Sequence, residues 1–281
     1  MNACRPLLGT YVDIRIDDDV AAGANTQANT EALSRAFAAV ERVQALMSVF
    51  EADSDIARLN RLPPGQTLQV HPWTAEVLAL AEEIMLASDG LFDCGVAPRL
   101  ADWGLLPSDL KAPGASSLRH VQRLSDTSLR VQAPVRIDLG GIAKGFAVDQ
   151  AVRALQDAGV RSGLVNAGGD LRVFGQTEAA IHLRHPTAPE QLHHAGQLRD
   201  GACATSATYF SRREHGGQEV SALVHPHSGQ ALRTRASFTV VAPTCAVADA
   251  LTKVLALSGN ASHPCFLRYG AHPIILEPQE A

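Results

Sequence analysis

The sequence predicts an α+β fold for its 281 residues. Three observations carry that prediction. Helical periodicity of apolar residues marks three strong segments, over 30–47, 72–88 and 246–257. Short alternating or apolar runs between them read as strands. The two kinds of element interleave without the regular strand–helix rhythm of a doubly wound sheet. No repeat, low-complexity tract or linker divides the chain, so residues 1–281 read as one domain.

Taken in order, Val12, Ile14 and Ile16 alternate with Asp13, Arg15 and Asp17 as a first strand, followed by a polar turn over 18–29. Leu33, Ala36, Phe37, Val40, Val43 and Met47 make the apolar face of the helix 30–47. A short helical turn follows over 55–60, then a loop at Pro63-Pro64-Gly65, then the helix 72–88. Glycine and proline punctuate 89–98, and 101–117 is loop-like. A hairpin-like pair spans 121–124 and 129–131, and a helix from Ala147 to Ala158 ends at Gly159 as a C-cap. Strands are expected at 164–166, 171–174, 181–183, 220–224 and 238–241, with a solvated histidine-rich excursion over 185–200. The small-hydroxyl run Ala204-Thr205-Ser206-Ala207-Thr208 suits a tight ligand contact or an ordinary turn.

Composition excludes several classes of function. With 46% hydrophobic and 19% charged residues the chain can bury a large core. A formal charge of −5 leaves no basic face for general nucleic-acid binding. No run of 18 apolar residues spans a membrane, and the N-terminal stretch lacks a signal peptide's apolar core, so a cytoplasmic location is expected. The five cysteines are widely spaced and form no CxxC pair, which suits idle thiols in a reducing compartment.

One stretch stands out as chemistry. Ile137 to Asp149 runs from an apolar segment into Gly140-Gly141, then Lys144-Gly145, then a helix. Glycines admit close backbone approach and a helix N-terminus favours an anion, so the pattern suits a phosphate loop or a plain turn. It matches neither a Walker A loop nor a G-x-G-x-x-G turn. A second double-glycine turn, Asn166-Ala167-Gly168-Gly169-Asp170, lies about one strand–helix–strand unit later.

Eight segments together resemble the ApbE family of FAD:protein FMN transferases. They are Leu8-Gly9-Thr10; Met47-Ser48-Val49-Phe50 with Ser54 and Leu59-Asn60-Arg61; Leu91-Phe92-Asp93 with Val96 and Pro98; and Asp138 to Gly145. The others are Val165 to Asp170; Thr205-Ser206; Pro226 with Ser228-Gly229; and Ala248-Asp249-Ala250-Leu251. They follow the family's order from Leu8 to Gly259. The resemblance implies an ApbE-like, T-fold-like architecture of two entwined lobes, with mixed or antiparallel sheets, packed helices and FAD between the lobes. It implies magnesium-dependent transfer of FMN from FAD, through a phosphoester bond, to a threonine of a partner flavoprotein carrying a D-G-x-T motif, with release of AMP. Carried over, Asp138 meets the adenosine, Lys144 lies along the FAD, and Leu8, Phe50, Leu91, Phe92 and Asp93 line its rings and ribose. Val224 makes a backbone contact. Gly141 offers a carbonyl to magnesium and Asp249 its carboxylate.

The sequence departs from the family at the reacting end. Where the family places the histidine expected to be the base, this chain has Ala222, and His225 stands three residues on. His225 is the nearest imidazole, but three residues along an alternating strand turn a side chain to the opposite face. A structural histidine is the competing reading. The family's metal-facing threonine, four residues after the aspartate, is Lys253 here, with Thr252 one residue earlier as the remaining hydroxyl ligand. Lys253 reads either as an ordinary i,i+4 ion pair with Asp249 or as an ammonium in the metal's place. Two further readings therefore stand beside transfer: FAD binding without catalysis, and hydrolysis of FAD to FMN and AMP.

Overall fold

The computed structural model describes residues 1–17, 26–112, 114, 116–188, 190–209 and 211–278. In chain order its elements are β1 (Asn2–Leu7), β2 (Thr10–Ile16), α1 (Thr26–Met47), α2 (Asp55–Arg61), β3 (Thr67–Gln69) and α3 (Pro72–Ala87). Then come α4 (Ala97–Asp102), β4 (Val121–Arg123), β5 (Ser128–Val131), α5 (Ala143–Asp157), β6 (Gly163–Ala167) and β7 (Asp170–Arg184). The chain continues through β8 (Leu192–Ala207), β9 (Arg213–His215), β10 (Gln218–Val220), β11 (Ser237–Ala242), α6 (Cys245–Ser258), α7 (Pro264–Arg268) and β12 (His272–Leu276).

A seven-stranded sheet of order β1-β2-β6-β7-β8-β11-β12 forms the frame. Every pair in it is antiparallel, as expected for an α+β fold. The alternation read in β2 is observed: Val12, Ile14 and Ile16 are all buried in the main core. On that face α5 lies against β6 and β7, α6 against β8 and β11, and α1 packs on α5. Val173 and Phe174, neighbours on β7, belong to different apolar clusters, because successive side chains point to opposite faces of the sheet. The smaller cluster (Val173, Ile181, Leu183, Leu198, Cys203) covers the second face. A three-stranded sheet, β3-β5-β4, and the pair β9–β10 lie apart from the frame.

Several boundaries differ from the sequence reading. Helix α1 begins at Thr26, so the expected turn over 18–29 loses its last residues, while 18–25 lie outside the described residues. Helix α5 begins at Ala143, four residues before the expected start, and takes in Gly145. A Cβ on Gly145 would lie 2.2 Å from the Cys245 carbonyl oxygen, so this glycine lets α5 and α6 meet. The helix α4 replaces part of an expected loop, with Pro98 in its first turn. The excursion over 185–200 is mainly a hairpin: β7 and β8 pair out to Arg184 opposite Leu192. Its β7 half alternates, with Ile181 and Leu183 buried, whereas residues 192–197 of β8 are exposed or half-buried and carry no apolar alternation to read. The strand expected at 220–224 stops at Val220, and Val224 makes one bridge to Ala231. Strands β1 and β12 and helix α7 were not expected; β1 is a mostly exposed edge strand that tolerates Pro6.

Candidate active site

A cavity of about 1190 Å³ opens beside the turns that the sequence singled out. Its wall includes Leu91, Phe92, Asp93, Asp138, Gly141, Lys144 and Val224 of the expected site residues. It also includes Asn166, Gly168, Gly169, Ala222 and Lys253. Leu8, Phe50, His225, Asp249 and Thr252 do not line it.

The stretch before α5 is held by side chains rather than by a strand. Buried Asn60 brackets Ile137, donating to its carbonyl at 2.9 Å and accepting its N–H at 2.8 Å. The Asp138 N–H donates to the Cys94 carbonyl, which fixes Asp138 at the cavity wall. Burial pushes its carboxyl above the usual carboxylate range, and the Gly140 N–H on Oδ2 pulls the other way. A Cβ on Gly140 would stand 2.8 Å from Asp138 Oδ2, so a side chain there would shift that carboxylate. The Gly168-Gly169 turn joins β6 to β7 with both residues at positive φ (65° and 106°), a conformation glycine adopts freely.

Asp93 has a structural task. Its Oδ1 accepts the N–H groups of Gly95 and Leu118 at 2.8 and 2.9 Å, and its Oδ2 accepts the Ser117 hydroxyl at 2.6 Å. These bonds tie the Leu91–Val96 segment, and with it the cavity-lining Leu91 and Phe92, to the segment 117–118.

Four charges lie at and behind the wall. Lys144 pairs with buried Asp170, and Lys253 pairs with buried Asp249. Both lysines line the cavity, whereas both carboxylates lie behind it. Burial alone would lower Lys144, but Asp249 and Asp170 outweigh it and hold Lys144 above its ordinary range. For Asp249 burial is opposed first by Lys253 and then by Lys144, and its carboxyl is held below the ordinary range. Burial, and then the charge of Asp249, push Asp170 up against Lys144 and Lys253. Two lysines line a cavity that two glycine turns also border, residue types whose chemistry suits an anionic ligand.

Helix α6 is placed by a residue that the sequence did not single out for this. Its own N-cap, Thr244, makes no side-chain cap. Instead Asp149 of α5 accepts the N–H groups of Cys245 at 3.0 Å and Ala246 at 2.9 Å, and pairs with Arg172 at 2.7 Å. That carboxylate at the helix N-terminus fixes α6, and through it Asp249 and Lys253, against α5. The Lys144–Asp170 and Asp149–Arg172 pairs join residues far apart in the chain, so no local spacing announces them.

The donor set does not fit magnesium. Asp249 Oδ1 is held by Lys253, and Oδ2 accepts the Gly145 N–H at 3.2 Å. The expected hydroxyl ligand, Thr252, is fully buried and bonds the Ser206 hydroxyl and the Asp249 carbonyl, both at 2.6 Å. Its position one residue before the full helical turn sends it away from the carboxylate. The stem of Lys253 packs on Gly141, where a Cβ would stand 3.4 Å from Lys253 Cε. Among the described residues no three His, Cys, Asp or Glu side chains cluster to hold a metal ion.

His225 does not line the cavity, whereas Val224 and Pro226 on either side of it do. Its Nδ1 is buried without a partner, and its ring lies 5.6 Å from that of His227. Phe50 is 70% exposed and outside the cavity, and the Leu8 N–H is bonded to Gln44 Oε1 at 3.0 Å on α1. Of the thiols lining the cavity, Cys94 and Cys203 are buried, which pushes both up, Cys203 to about 12, so neither of these two is a thiolate near neutrality. Among the described residues no helix is long and apolar enough to cross a membrane.

Comparison with known proteins identifies the family of the chain. The ApbE family model matches residues 8–273. The FAD:protein FMN transferase of Haemophilus influenzae is 26% identical over 276 residues, covering 90% of this chain and 79% of that protein. That of Rhodobacter capsulatus is 29% identical over 230 residues, covering 76% of this chain; the chain spans 44% of that relative's length. The structure of the flavin transferase ApbE from Vibrio cholerae matches with a TM-score of 0.78 at 22% identity, over 98% of this chain and 92% of its own. An ApbE protein of Thermotoga maritima matches with a TM-score of 0.81 at 25% identity, over 98% and 93%. The chain, with its ordered glycine turns and its lysine-lined cavity, belongs to the ApbE family.

Proposed function

We propose that this chain is an FAD:protein FMN transferase that binds FAD in the cavity and passes FMN to a threonine of a flavoprotein bearing a D-G-x-T motif. The observation that carries this reading is the pair of lysines, Lys144 and Lys253, lining one cavity together with Gly141, Gly168 and Gly169. The names of the relatives, FAD:protein FMN transferase, supply the reaction class. In this reading Asp138 meets the adenosine, Leu91 and Phe92 line the flavin side, and Val224 contributes backbone. The two ammonium groups offset the diphosphate charge so that a hydroxyl oxygen can approach phosphorus. A bond forms between the threonine oxygen and the FMN phosphorus. The bond from that phosphorus to the bridging oxygen breaks, AMP leaves with the oxygen, and the hydroxyl proton is released. No step is assigned to magnesium, because Asp249 and Thr252 are engaged with Lys253 and Ser206.

One observation favours a second reading, FAD binding without transfer: Ala222 lines the cavity and cannot take a proton. Incubation with FAD and an acceptor bearing the motif separates the two. Transfer gives a fluorescent acceptor band on a denaturing gel with AMP released alongside. Bound FAD with neither band nor AMP defeats the transferase reading, and AMP without a band points to hydrolysis.

A further inference from the structure

We propose that Lys253 takes the place of a divalent cation in this chain, so that FAD binds in the cavity without magnesium. This rests on the cavity being the FAD site, and it says how the diphosphate charge is met there. Three observations combine. The ammonium of Lys253 bonds the Asp249 carboxylate and also reaches the Asp249 carbonyl at 3.0 Å. Its stem packs against Gly141, which lines the same cavity. Thr252, whose hydroxyl would complete a metal's ligand set, is turned into the protein and bonded to Ser206.

An ordinary surface ion pair does not describe this arrangement. The side chains of Lys253 and Asp249 are 19% and 1% exposed, and Lys253 lines the cavity while its carboxylate does not. A magnesium ion needs near-octahedral oxygen ligands and keeps much of its water shell, for which a corner filled by a lysine stem has no room. The lysine ammonium instead is a compact point charge with three N–H donors. Two of its partners, the Asp249 carboxylate and carbonyl, lie on α6, and the cavity side presents the charge to an incoming phosphate oxygen. With Lys144 alongside, the diphosphate meets two fixed ammonium groups, each held from behind by a buried carboxylate.

The test is a titration of FAD into the purified full chain, followed by flavin fluorescence, once in EDTA and once in excess magnesium. The proposal expects affinities within about twofold of each other, and a loss of about tenfold or more for Lys253→Met in both buffers. Lys253→Arg, which keeps the charge, should lose less than Lys253→Met. Magnesium tightening the unmodified chain by about tenfold or more overturns the proposal and leaves the FAD site standing. Unchanged affinity in a folded Lys253→Met also overturns it. If FAD binds in neither buffer, the reading of the cavity as an FAD site falls, and this inference with it. Should Lys253→Met fail to fold, the comparison of the two buffers on the unmodified chain still decides.

Discussion

Asp149, nearly two turns into α5, accepts the first two backbone N–H groups of α6 at Cys245 and Ala246, 3.0 and 2.9 Å away. A side chain of one helix thus sets the start of another, and that start fixes where Asp249 and Lys253 stand one and two turns later. The site inherits its precision from this junction. Gly145 is the other half of it, lying under the Cys245 carbonyl.

Gly145→Ala should therefore act as an overpacked core substitution. The added Cβ meets backbone at 2.2 Å, which no rotamer change relieves. We expect a loss of about 3 kcal/mol in a urea unfolding curve. Gly141→Ala is the contrast: its Cβ would meet Lys253 Cε at 3.4 Å and Phe92 at 3.5 Å, ordinary contacts. Stability should change there by less than about 1 kcal/mol.

Asp249→Asn breaks a buried ion pair and leaves Lys253 without its carboxylate. Near neutral pH this should destabilise the chain by about 3 kcal/mol. The pH dependence follows from the direction of the shift. Burial opposes ionisation of Asp249, but Lys253 and then Lys144 hold its carboxyl below the ordinary 3.8. Its stabilisation is present above the unfolded-state value and is lost as pH falls through the folded-state value. The gap between the unmodified chain and Asp249→Asn should stay constant down to about pH 4 and narrow below it. A gap that closes at a higher pH contradicts the assignment.

Ala222 lines the cavity at the position where the resemblance implies a histidine, so Ala222→His tests an imidazole there. The expected outcome is a rise in covalent flavin transfer of about a hundredfold, the scale of general base catalysis. His225→Ala, which alters a residue outside the cavity wall, should leave transfer within about twofold. Covalent flavin fluorescence on a denaturing gel reads both variants. A loss of transfer in His225→Ala would restore that histidine as the base.

Much of the frame was legible because its signals are local. The alternation of Val12, Ile14 and Ile16 and the apolar face from Leu33 to Met47 each report one buried side, and both are buried as expected. The β8 half of the outer hairpin was missed because its residues 192–197 bury no regular apolar side, and the start of α5 because its Gly145 argues locally against helix. In the site, the glycine turns and Lys144 were legible, since glycines before a lysine and a helix have a direct physical meaning. Two of those glycines nevertheless answer to packing: Gly140 to the Asp138 carboxylate and Gly145 to the Cys245 carbonyl. The pairing of Lys144 with Asp170 and the engagement of Thr252 by Ser206 depend on tertiary placement, which spacing along the chain does not encode. Spacing did raise Lys253 as a rival to the metal, because an i,i+4 lysine shares one helix face with Asp249.

The central claim is that FAD lies in this cavity with its diphosphate against Lys144 and Lys253. A crystal structure grown with FAD and manganese, the metal located by its anomalous signal, tests it most directly. The account predicts phosphate oxygens within about 3.5 Å of both ammonium nitrogens and no metal peak beside Asp249. A manganese ion between Asp249 and the diphosphate with Lys253 swung aside, or a flavin bound elsewhere, would contradict it.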